Sequence, residues 1–236
     1  MMKKISMTVC AVVLAMVGIS AFAQQSYPDS IFAYQLENRV TYKGNAPKIS
    51  DILTAYLNVE ETDEVLGSMS DAWNHYLRQE PQEPCTQFMI DEKNGYLRYT
   101  FDTRLCDDFD DLDSQTFVEM CYWNCSDGKH KLIAENCVSM MDSKYMIGQY
   151  SGISFFLYDN ASHKMWTVAE EDLGAYVEGL IDESNCETGE EMTSDGQTVV
   201  VYNLPQQGKD ITVEIYRGNK RTVTRLVWDG MYFKRQ

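Results

Sequence analysis

The chain is poor in histidine, with three residues in 236, and has only five prolines. So little imidazole leaves few candidates for a general base or a nitrogen metal ligand. Also missing are a Gly-x-Ser-x-Gly elbow, a His-Glu-x-x-His helix, a phosphate-binding loop and a dinucleotide glycine fingerprint, so no motif assigns an activity or a cofactor. Basic residues are outnumbered by acids, 20 to 36, for a formal charge of −16. Such a balance repels phosphate backbones and argues against nucleic acid and anionic membrane surfaces as partners. Beyond the first 20 residues no apolar run approaches the ~20 residues that span a bilayer.

What is present begins with a leader. Met1, Met2, Lys3 and Lys4 form a positive start, Ile5 to Ile19 an apolar run, and Ala21-Phe22-Ala23 the small-large-small pattern of a cleavage site. Residues 1–23 are therefore expected to be a signal peptide cleaved after Ala23, with no membrane insertion afterwards and a periplasmic or secreted product. Loss of Lys3 and Lys4 makes the charge two units more negative. Cys10 precedes the cleavage site and is no lipidation point.

Residues 24–236 are long enough for one domain with a proper core, and hydrophobic residues at 44% fit a folded chain. Six cysteines remain, Cys85, Cys106, Cys121, Cys125, Cys137 and Cys186, and an even set in an exported chain points to disulfides. Asn94-Gly95 reads as a two-residue hairpin turn pairing Lys93 with Tyr96, which with one bulge brings Cys85 to Cys106. A second hairpin through Asp127-Gly128-Lys129 can set Cys121 opposite Cys137, leaving Cys125 with Cys186 by elimination. The alternative is zinc held by Cys121, Cys125, Cys137 and His130, although structural zinc usually shows two tight ligand pairs and only one loose pair is present.

Periodicity predicts an α+β fold, mostly antiparallel β meander or sandwich, with an N-terminal helical region and one further helix. Leu36 to Tyr42 reads as a first strand. Helices follow at about 50–78, the first capped by Ser50 and the second by Thr62 with Asp63 and Glu64 in its first turn; Val65, Leu66, Met69, Trp73, Tyr76 and Leu77 share one face of the latter. Period-two strands fill about 87–168: 87–91, 96–101, 115–124, 131–141, 145–149, 153–158 and 163–168. Ile153 to Tyr158 is apolar at both parities, so both its faces should be covered. A helix at about 170–181 and a polar insertion at 182–197 lead to hairpins at about 198–235, turning at Gly218-Asn219 and Asp229-Gly230.

Asp107, Asp108, Asp110, Asp111 and Asp113 crowd seven residues and form a calcium candidate, against which stand a missing turn glycine and the simpler reading of a solvated loop. His130 and His163 read as exposed turn residues. Tyr122, Trp123, Tyr158, Trp166, Trp228 and Tyr232 lie on or near strands, where rings serve either a core or a surface for peptides or sugars.

The Met-Lys-Lys start with Ala-Gln-Gln at the cleavage point, the stretch Cys121-Tyr122-Trp123-Asn124-Cys125, Gly128 to Leu132, Leu204 to Ile211, and Trp228-Asp229-Gly230 resemble uncharacterised exported proteins of Bacteroidetes, mainly over the last half of the chain. The resemblance implies an envelope or secreted setting and no catalytic residue. The expected function is a disulfide-stapled binding or structural protein with a protein, peptide or glycan ligand. The alternative is a secreted hydrolase using carboxylates or an unpaired cysteine.

Overall fold

The computed structural model describes residues 38–58, 64–106, 113–146, 152–169, 173–174, 176–178, 198–217 and 219–236. The expected signal peptide, Thr62, Asp63 and the insertion at 182–197 lie outside them.

Two helices open the order, α1 (Ile49–Leu57) and α2 (Glu64–Leu77), preceded by the short strand β1 (Asn38–Arg39). In α1 the apolar residues Ile49, Ile52 and Leu53 recur on one face and are fully buried. Its start differs from expectation: the Lys48 N–H donates to the Asp51 carboxylate at 2.9 Å, so Lys48 is the cap and Ser50 sits inside the first turn. The Ser50 hydroxyl instead donates to Glu92. Trp73 of α2 donates from Nε1 to Thr54 Oγ1 of α1 at 3.0 Å, clamping the helices together. Met69 and Trp73 are buried as expected, whereas Tyr76 and Leu77, at the C-terminal end of α2, are exposed.

Sheet A follows as a meander: β2 (Thr86–Asp91), β3 (Tyr96–Asp102), β4 (Ser114–Asn124), β5 (His130–Met141), β6 (Lys144–Tyr145), β7 (Gly152–Asp159) and β8 (Lys164–Thr167). The strand order is β1-β8-β7-β5-β4-β3-β2, with β6 folded back on β5. Sheet B contains β9 (Val177–Glu178), β10 (Thr198–Asn203), β11 (Ile211–Arg217), β12 (Lys220–Trp228) and β13 (Phe233–Arg235), in the order β10-β11-β12-β13-β9. Among the described residues every pairing is antiparallel except β9 with β13. The further helix is correspondingly shorter than expected: residues 173, 174 and 176 are helical, but Val177 is drawn alongside Phe233 as a strand. Both are buried in the sandwich core, which rewards an extended β-branched residue there.

Sheet A is the middle of three layers. Alternation along β7 makes this plain, because Phe155 and Leu157 pack with Trp123, Trp228 and Phe233 between the sheets, while Phe156 and Tyr158 pack with Ile52, Leu53 and Trp73 under the helices. Both parities of the apolar run are therefore covered, as its sequence required.

Two hairpins keep their strands but shift register. Asp91, not Lys93, pairs with Tyr96, since the Asp91 carboxylate accepts the Asn94 N–H at 3.1 Å and Nδ2 at 2.7 Å and so builds a four-residue turn. Cys85 then meets Asp102, whose N–H donates to the Cys85 carbonyl at 2.9 Å. A 3-10 turn at Thr103–Leu105, in place of a bulge, carries Cys106 back to form the Cys85–Cys106 disulfide with 5.0 Å between Cα atoms.

The β4–β5 register overturns the expected Cys121–Cys137 pair. Cys121 lies opposite Ala134 and Cys137 opposite Val118, so the two sulfurs point to opposite faces of the sheet. A wider turn causes this, held by the Asp127 carboxylate, which accepts the N–H groups of Lys129 and His130 at 2.8 and 3.1 Å. Cys186, the proposed partner of Cys125, lies outside the described residues.

Candidate functional site

Three hairpin tips converge at one end of the sandwich. The tip of β4–β5 reaches the tip of β12–β13 through Ser126 N–H to the Gly230 carbonyl at 2.7 Å, and reaches the tip of β7–β8 through Asn160 N–H to the Lys129 carbonyl at 2.8 Å. The tips share one local device, an aspartate whose carboxylate accepts backbone N–H groups two and three residues on. Asp127 accepts from Lys129 and His130, Asp159 from Ala161 and Ser162, and Asp229 from Met231 and Tyr232. An aspartate closing its own turn this way is ordinary turn chemistry, and three of them fix the geometry of this end.

At its centre His130 is buried, contrary to the exposed position expected for it. Its Nδ1 lies 2.6 Å from the Asp127 carboxylate, and in the strand register the residue faces Asp159. Burial pushes the Asp127 carboxyl up, but the His130 ring and the two N–H donors outweigh it and hold the group below the usual carboxylate range. Asp159 is held down in the same way, by Ala161 and Ser162 against the cost of its burial. An aspartate that fixes an imidazole is one half of a nucleophile-activating triad. Here, with 7% of His130 exposed, the pair is walled in by the turns it organises and acts as a tie between tips.

A second polar group lies between the sheets. Glu119, on the sandwich side of β4, accepts from Tyr96 Oη at 2.6 Å and from the Leu204 N–H at 3.1 Å. Asn136, opposite it on β5, donates from Nδ2 to the Tyr202 carbonyl at 2.8 Å, so one buried seam fastens sheet A to the end of β10. Burial, reinforced by the Glu119 charge, pushes the Tyr96 hydroxyl up and keeps it a donor. A cleft of about 10 Å³ borders Asn136, Val138, Tyr145, Val199 and Val201, room for about one water and far too small for a small-molecule ligand.

The other sequence candidates fall apart in space. Asp107, Asp108, Asp110 and Asp111 lie outside the described residues, and Asp113 faces Arg104 at 3.6 Å. Among the described residues no three His, Cys, Asp or Glu side chains group as metal ligands. Trp123, Tyr158, Trp166 and Trp228 are buried and Tyr122 packs into the helix-side core, so these rings form the interior and not a binding surface. Cys121 is buried, and desolvation, then the nearby Glu119 charge, push its thiol well up, the opposite of an activated nucleophile. Glu119 and the Asp127–His130 pair were not singled out by spacing; the only advance signal was an aspartate opening each turn.

No protein-family model, curated protein or solved structure matches the chain. Among the described residues no helix is long and apolar enough to cross a membrane.

Proposed function

We propose that the chain is exported, cleaved after Ala23, and acts in the periplasm or outside the cell as a disulfide-stapled binding or structural protein built as one α+β domain over residues 24–236. The observation that carries this reading is the Cys85–Cys106 disulfide, a cross-link that persists in oxidising compartments and is rare in the cytosol. The leader supports it from the sequence, and the resemblance to exported proteins of Bacteroidetes supports an envelope setting. The histidine and carboxylates that stand closest to catalytic chemistry are consumed in turn and seam contacts, which favours binding or scaffolding over a hydrolase.

The test is mass spectrometry of protein recovered from the periplasm of an expressing bacterial host, with alkylation before and after reduction. The reading expects a mature chain starting at Gln24 and a Cys85–Cys106 cross-linked peptide. An uncleaved chain retained in the cytoplasm with both thiols alkylated would overturn it.

A further inference from the structure

Strand β10 and the residue after it meet sheet A through alternate backbone positions. The Leu204 N–H donates to the Glu119 carboxylate at 3.1 Å, and the Tyr202 carbonyl accepts from Asn136 Nδ2 at 2.8 Å. In an antiparallel pair, alternate residues of a strand direct their N–H and C=O groups to the same side. Val200, two residues before Tyr202 in β10, therefore turns both of its backbone groups away from β11 and toward sheet A. No described residue hydrogen-bonds them there.

Asn136 presents the matching half. The residue is 1% exposed, and while its Nδ2 serves Tyr202, its Oδ1 is enclosed and accepts no hydrogen bond from any described residue. A buried amide oxygen left this way costs its full desolvation, so it calls for a donor. Asn136 and Val200 both border the cleft of about 10 Å³, whose walls also include the apolar side chains of Val138 and Val199.

We propose that this cleft is a binding site for one ordered water, which donates to Asn136 Oδ1 and to the Val200 carbonyl and accepts from the Val200 N–H. Chemistry selects this occupant. Two acceptors and one donor need a ligand that donates and accepts at once; a metal cation fails at the N–H, and an anion fails at the two oxygens. Size selects it too, because a water needs roughly 10–15 Å³ and two to four polar partners, and any organic ligand needs far more room. Bound there, the water is the third rung of the buried seam. Residues 200, 202 and 204 are then each tied to sheet A, by the water, by Asn136 and by Glu119, and the three ties together fix the register at which sheet B docks. The site belongs to the fold and is independent of what the protein binds or where it resides.

The test is water-selective NOE and ROE spectroscopy on the ¹⁵N-labelled protein, read at the Val200 amide. A cross-peak to water of opposite sign in the two experiments is expected, the mark of a water held far longer than one in bulk. It should persist in Tyr145→Phe, which removes the one hydroxyl among the side chains bordering the cleft and with it a relay through an exchanging proton. Val199→Ile adds a methylene to the cleft wall; it should abolish the cross-peak and, by leaving Asn136 Oδ1 without a donor, lower the folded-to-unfolded ratio by about tenfold in urea titration. No cross-peak in the unmodified protein overturns the proposal, as does a peak of the same sign in both experiments, which reports exchange with bulk water. A peak lost in Tyr145→Phe overturns it, and so does a Val199→Ile protein that keeps the peak or is more stable than its parent.

Discussion

The phenol of Tyr96 on β3 donates a 2.6 Å hydrogen bond to the carboxylate of Glu119 on β4, inside the space between the two sheets. A buried carboxylate is costly unless its oxygens are occupied, and Glu119 spends its second oxygen on the Leu204 N–H. Tyr96→Phe removes one donor and leaves the charge underserved, so it should lower unfolding free energy by about 2 kcal/mol in urea titration. In a Glu119→Gln background the same change should cost distinctly less, because the acceptor is then neutral. Equal losses in both backgrounds would show that the bond does not act as a unit.

Acid sensitivity follows from the hairpin tips. Asp127, Asp159 and Asp229 are each held below the ordinary carboxylate value of 3.8, the donors outweighing burial in every case. A folded-state pKa below the unfolded one adds stability that is complete above the unfolded value and fades as pH falls through the folded value. The urea midpoint should therefore be insensitive to these groups from neutrality down to about pH 5 and drop below about pH 4. Asp127→Asn keeps an oxygen acceptor for the turn and should flatten the acid slope; an unchanged slope in that variant would assign the acid loss to other groups.

Gly95 makes the β2–β3 turn possible twice over. Its φ is +64°, and a Cβ placed there would lie 2.7 Å from the Tyr122 ring. That ring packs under the helices and carries the Lys131 ammonium 4.5 Å from its centre, so it cannot retreat freely. Gly95→Ala should cost about 2 kcal/mol by combining strain with displacement, measured as a lower thermal midpoint.

Much of this fold was legible in the sequence because strand parity is a strong signal where a face is buried. The run Ile153 to Tyr158 announced two covered faces, and Arg217 does pair with Lys220 as the Gly218-Asn219 turn implied. Registers set by side chains were not legible. Asp91 and Asp127 widen their turns by capturing downstream N–H groups, and Asp127 thereby sends Cys121 and Cys137 to opposite faces. A change of odd parity in a hairpin moves a cysteine across the sheet, so disulfide inference from a hairpin is only as good as its turn. The polar seam was hidden for a different reason: the β4–β5 hairpin sets Glu119 opposite Asn136, but Tyr202 and Leu204 are distant in the chain and only the docking of sheet B brings them to that pair.

The Cys85–Cys106 bond closes a loop with a sequence separation of 21. By loop-closure entropy a cross-link of that span is worth about 3 kcal/mol. The paired variant Cys85→Ser/Cys106→Ser should therefore lower unfolding free energy by about that amount in urea. Because the bond sits where β2 begins, the loss should be concentrated there, as faster amide hydrogen exchange at Gln87 and Met89, whose N–H groups face β3, than at Leu132 and Phe155 in the middle of sheet A. Uniform acceleration across the sheet would mean that β2 does not open separately.

Cys121 offers a test of the sandwich interior itself. Its thiol is fully enclosed with Tyr96, Trp123 and Ala134 between the sheets, and desolvation first, then the charge of Glu119, disfavours the thiolate. Alkylation needs thiolate and access together, so native protein in excess iodoacetamide at pH 8 should leave Cys121 unmodified, whereas urea-unfolded protein should label it fully. Opening the seam with Tyr96→Phe should raise its native labelling rate in step with the lost stability, since both report the same separation of sheets. Rapid labelling of Cys121 in the unmodified native protein would contradict the enclosed sandwich and return an accessible thiol to consideration as a reactive group.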